Sequence, residues 1–187
     1  MNKNILTAAA SKTWLFALLL IIFGALWILP FMTVIPFLGD LIYGAVFMSL
    51  AFMAIYMRDA AYAFEGDERV ALKDVAMGFG LMLMGLIVED FGSFAMAIVW
   101  DLAFGVLFLL GGLKIMGAFG KLKESSLFDQ NAAGTLKLAG IFFLVAGVLG
   151  ILYAIPVLSI VFWILFKIFL LVAAIMFLVG IGKIKNA

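Results

Sequence analysis

Asp101 and Lys167 are the two ionisable side chains that stand inside otherwise apolar runs, and any chemistry within the chain would start from them. A charge near the middle of a bilayer costs about 2.5–3.5 kcal/mol on insertion scales, so it normally turns inward to a partner. Asp101 lies 13 residues before Lys114, and Lys167 lies 16 residues before Lys183. If those two outer lysines mark equivalent depths, Asp101 and Lys167 differ in depth by about 4.5 Å, which a lysine stem bridges. The expectation is an interhelical Asp101–Lys167 ion pair. Three roles fit it: a proton or ion relay, a clamp that fixes helix register, or a lysine that snorkels towards a headgroup without a partner. A relay would need further polar lining, and the spans offer only Tyr43, Ser49, Tyr56, Tyr153 and Ser159.

Glu89 and Asp90 form a second candidate, the one adjacent carboxylate pair between the third and fourth apolar runs. Neighbours on a helix point about 100° apart, so these two are not placed to share a proton. Solvation of a helix end is the plain reading, with acid sensing or cation binding as the alternative. Cysteine and histidine are absent. That removes Cys/His zinc sites, His-ligated haem, iron–sulfur clusters, thiolate nucleophiles and Ser-His-Asp catalysis. The expectation is therefore no catalytic residue, no cofactor and no metal, with the 11 methionines acting as packing residues.

The elements that hold these residues are apolar helices. The chain is 68% hydrophobic and 12% charged with a mean hydropathy of +1.32. Soluble domains are about 45–50% apolar and about 25% charged. Lipid must face what a small core cannot bury. A net charge of +1 gives no basic field for nucleic acid. The apolar runs predict six helices, over about 14–29, 41–57, 75–88, 94–113, 139–155 and 157–182. The third is short and reaches across only if it begins near Val70. Pro30, Phe31 and Met32 follow the first run where a signal peptide would carry an Ala-x-Ala site, so that run is read as a retained helix.

Basic residues set the orientation. Of the 12 lysines and arginines, all but Lys167 fall before the first helix, in the second or fourth connection, or after the sixth helix. The other three connections carry Asp40, Glu89 and Asp90 and no base. The positive-inside rule then predicts an even number of spans in the plasma (inner) membrane, with both termini in the cytoplasm.

The runs also resemble one another. Phe108 to Ile115 and Phe177 to Ile184 share the pattern F-L-x-G-x-x-K-I. Gly24-Ala25-Leu26 and Gly147-Val148-Leu149 each lead towards an Ile-Pro-x-Leu turn, at 35–38 and 155–158. The expected fold is all-α: one transmembrane domain over residues 1–187, built as a six-helix bundle from three parallel-repeated hairpins at about 14–58, 70–114 and 137–183. Ala76/Gly80 and Ala146/Gly150 are small-xxx-small pairs expected to let helices approach closely within it. Trp14 and Trp27 read as interface anchors at opposite boundaries.

The module of glycine-containing apolar helix, proline turn, leucine-rich return helix and basic exit resembles the repeat of the HdeD family of small six-span acid-resistance membrane proteins. Gly24, Pro30, Leu41, Gly44, Gly147, Pro156, Gly180 and Lys183 carry the resemblance. The middle hairpin departs from it, with Glu89-Asp90 in place of a proline. The resemblance implies a stress-related, non-enzymatic inner-membrane protein and carries over no catalytic residue. Two other functions remain open. One is a small transporter or channel using Asp101 and Lys167; the other is an accessory subunit of a larger membrane complex. The expected partners are the lipid bilayer and, beyond it, a second copy or another membrane protein.

Overall fold

The computed structural model describes residues 2–28, 36–91, 97–125 and 129–185, with the side chains of residues 2, 3, 36, 90, 91, 97 and 185 set aside. The described residues form six helices: α1 (Asn2–Ile28), α2 (Pro36–Ala61), α3 (Gly66–Phe91), α4 (Ala97–Leu122), α5 (Gln130–Tyr153) and α6 (Ser159–Lys185). Each has 24 to 27 residues. At helical rise that is about 36–40 Å, enough to cross a hydrocarbon core of about 30 Å. All six are long and apolar enough to span a membrane.

The helices are longer than the apolar runs predict, because charged ends stay helical where they find partners on a neighbour. In α3, Asp74 accepts from Lys114 of α4 at 2.9 Å. Glu68 accepts from Ser125, just past α4, at 2.8 Å. The third helix thus begins at Gly66, whose φ of 60° turns the chain out of the short link after α2. Asp129 caps α5 through bonds from the Asn131 and Ala132 amides.

Consecutive helices run antiparallel and pack side by side, and α6 closes on α1, giving a ring in chain order. Contacts at both ends of the pairs define the directions. Phe16 stacks on Phe52 at 4.6 Å between α1 and α2, and the Lys12 ammonium lies 5.3 Å from the Tyr56 ring. Lys183 donates to Thr135 at 2.9 Å between α6 and α5. Every described base outside α6's interior therefore gathers at one end of the bundle, the basic end.

The closest seam joins α4 and α5. Gly105 and Gly112 on one helix and Gly140 and Gly147 on the other recur every seven residues along the facing lines. A Cβ on Gly147 would lie 2.5 Å from the Leu109 Cα, one on Gly112 2.6 Å from the Leu144 Cα, and one on Gly140 2.5 Å from the Met116 amide nitrogen. Backbone thus rests on backbone. Between α3 and α4, Gly78 and Gly111 lie each over the other's carbonyl. Of the expected small-residue pairs, Ala146 is fully buried and Gly150 meets Gly105 and Phe104. Ala76 is buried too, but Gly80 has nothing within 4 Å of its missing side chain. Gly80 is not a packing glycine, because its side of α3 meets no neighbour.

Phenylalanine fills the centre of the ring. Phe79, Phe104, Phe108, Phe119, Phe143, Phe166 and Phe177 are all under 2% exposed. Phe79 meets Phe143 and Phe177 edge-on at 6.0 and 5.1 Å, and Phe166 meets Phe104 and Phe108 at 5.0 and 5.1 Å. These contacts tie α3 and α4 to α5 and α6 across the axis with geometry that suits aromatic quadrupoles.

Candidate functional site

Lys167 occupies a clasp built from α1 and α6. Eight residues into α6, its ammonium lies 4.7 Å from the Trp27 ring and 4.9 Å from the Trp163 ring. The two indoles meet edge-to-face at 5.4 Å. Trp163 stands four residues before Lys167, so helical spacing puts both on one face. The same ammonium donates to the Trp27 carbonyl at 3.0 Å. That carbonyl belongs to the last described turn of α1, which runs to Ile28. A cation at a helix C-terminus also meets the negative end of the helix dipole. Lys167 is therefore held by a carbonyl and two π faces.

The clasp extends into α2 and α3. Trp27 packs edge-on against Tyr43 at 5.9 Å. The Tyr43 hydroxyl donates to the Leu86 carbonyl and lies 3.4 Å from the Glu89 carboxylate. Glu89 thereby brings a carboxylate to the α3 side of the clasp. Its expected neighbour in chemistry, Asp90, has a side chain outside the described residues. Pro30, which the family resemblance places nearby, lies outside them too.

Asp101 does not join Lys167. The ion pairs among the described residues are Arg58–Asp59 and Lys114–Asp74. The reason is angular. In the ring α5 stands between α4 and α6, so the two residues lie on helices that are not neighbours. Asp101 sits in the second described turn of α4, and Tyr153 ends α5, the helix that follows it in the ring. Tyr153 stacks on Trp163 at 4.9 Å, and Phe104 and Phe166 pack beside that indole at 6.0 and 5.4 Å. Lys167 meets this aromatic layer through Trp163. Asp101→Asn and Lys167→Met should therefore have additive effects on unfolding in detergent, within about 0.5 kcal/mol. A coupling above about 1 kcal/mol in that double-mutant cycle would reinstate the pair.

The polar residues within the spans form no continuous track. Ser49 is buried and returns its hydroxyl to the Ala45 carbonyl of its own helix at 2.7 Å. Ser159 donates its hydroxyl to the Pro156 carbonyl of the turn before α6 at 3.1 Å. Among the described residues no three carboxylates cluster. Sequence reasoning missed Trp163 and Tyr43 as parts of the lysine's surroundings and read Trp27 as a boundary anchor alone. The i, i+4 spacing of Trp163 and Lys167 was the available signal for the first. No protein-family model matches the chain, and neither the curated proteins nor the solved structures compared with it give a match.

Proposed function

We propose that the chain is a non-enzymatic, multi-pass membrane protein with a structural or stress-protective role. The aromatic filling of the ring's centre carries this reading: α3 to α6 meet through phenylalanine edges where a conduit would need water and polar side chains. Lys167 is engaged with a helix end and two indoles, which suits a fastening role better than a shuttle. The resemblance to the HdeD family supports the stress-related half, and the grouping of bases supports plasma-membrane placement with that end and both termini in the cytoplasm.

In proteoliposomes the protein should leave proton, cation and anion flux at the level of empty vesicles. Flux that Asp101→Asn or Lys167→Met abolishes, in a folded variant, would replace this reading with transport. For the stress-related half, cells lacking the protein should lose viability in acid, and equal survival with and without it would remove that half. A fixed partner recovered in stoichiometric amount would favour the accessory-subunit reading.

A further inference from the structure

The seam between α2 and α3 differs from the α4–α5 seam. At its basic end it opens into a cleft of about 460 Å³ lined by Ala54, Ile55, Arg58, Tyr62, Lys73 and Met77, among others. Its mouth is cationic and aromatic. Tyr62 is 63% exposed, with the Arg69 guanidinium 5.6 Å from its ring and the Lys73 ammonium 5.9 Å. Three of the nearby acids are bonded elsewhere, Asp74 to Lys114, Glu68 to Ser125 and Asp59 to Arg58, while Glu65 and Asp67 lie exposed at the start of α3. Arg69 Nε is buried and makes no hydrogen bond among the described residues. Arg69 and Lys73 thus present positive charge at the mouth with no carboxylate bonded to them.

Behind the mouth the walls are apolar and low. Gly80 lies one turn beyond Ala76 on the same face of α3, and Gly44 lies on the face of α2 that carries Ile55 and Met48. Neither glycine has a neighbour within 4 Å of where a side chain would begin. Met48 and Met84, flexible and exposed, stand further along the same two faces. From Arg58 to Gly44 this line runs about 21 Å at helical rise, longer than the roughly 15 Å of one leaflet's hydrocarbon.

We infer that this cleft is a binding site for an anionic phospholipid of the surrounding bilayer. The phosphodiester sits between Arg69 and Lys73 over the Tyr62 ring, and one acyl chain lies along the groove past Gly80. Charge complementarity selects the headgroup, because basic pockets between spanning helices attract anionic lipid. The open glycine positions leave room for the chain.

The test uses the full chain in detergent micelles, titrated with phosphatidylglycerol or phosphatidylcholine and read by native mass spectrometry and thermal shift. Phosphatidylglycerol should be retained and should stabilise the protein, and phosphatidylcholine should not. Arg69→Gln with Lys73→Gln should weaken phosphatidylglycerol binding about thirtyfold. Gly80→Leu, which fills the groove and leaves every charge in place, should weaken it too. Lys183→Gln, at the basic end but outside the cleft, should not. Equal retention of the two lipids would overturn the site, as would equal loss in Lys183→Gln or unchanged binding in Gly80→Leu. Glycerol phosphate competing as well as the intact lipid would overturn the lipid as its occupant.

Discussion

Gly147→Ala should lower the melting temperature in detergent by about 2–12 °C or prevent folding. The added methyl would enter the backbone of Leu109, with that residue's Cα 2.5 Å away. Backbone cannot swing aside as a side-chain tip can, so α4 and α5 must separate along their whole length. Overpacking a close-packed site costs about 1–3 kcal/mol and sometimes more, and each kcal/mol moves the melting point of a chain this size by about 2–4 °C. Gly112→Ala should behave the same way. Gly80→Ala is the control: open space receives its methyl, and the gain in helix propensity should hold or slightly raise the melting point. A Gly147→Ala variant as stable as the parent would mean that the α4–α5 seam is not packed backbone to backbone.

Lys167→Glu should destabilise the fold by about 2–3 kcal/mol, below the range for a fully buried uncompensated charge because the site is half-buried. Each contact changes sign. The carboxylate would face the Trp27 carbonyl, the negative end of α1 and the electron-rich faces of two indoles. Attraction to the Glu89 carboxylate on the α3 side of the clasp would become repulsion. Lys167→Gln, which keeps a donor without the charge, should fall between the two. Thermal unfolding followed by tryptophan emission checks this directly, because Trp27 and Trp163 form the clasp. Asp101→Asn should change little in the same assay. If Lys167→Glu melted with the parent protein, the clasp would not hold the lysine.

Six spanning helices could be read from hydropathy, and the gathering of bases at one end could be read from their positions. Both depend on a single coordinate, depth, which residue spacing along a helix reports directly. The Asp101–Lys167 pairing failed because it also needs the angle around the ring, and spacing says nothing about that angle until neighbours are known. The same gap explains Gly80. Small-xxx-small spacing identifies a line of small residues but not whether another helix meets that line. The seven-residue recurrence of Gly105 and Gly112 against Gly140 and Gly147 was visible in the chain and marks the true close approach. The apolar run alone understates α3, because Lys73 and Asp74 stand outside it although the sequence reads as a helix capped at Asp67 and starting at Glu68 that leads straight into that run. The Asp74–Lys114 bridge lets such residues remain helical. Gly111 and Gly180, equivalent in the F-L-x-G-x-x-K-I pattern, each rest against the preceding helix, so that shared pattern marks packing.

A ring that shuts only where α6 meets α1 has an implication for biogenesis. Among these six helices, the earliest to leave the ribosome must wait for the latest before its flank is covered. Until then the Trp27 carbonyl of α1 has no ammonium against it. The arrival of Lys167 marks the moment when assembly is finished, and a nascent protein stalled before that point would present an unsealed edge to the membrane's quality-control proteases.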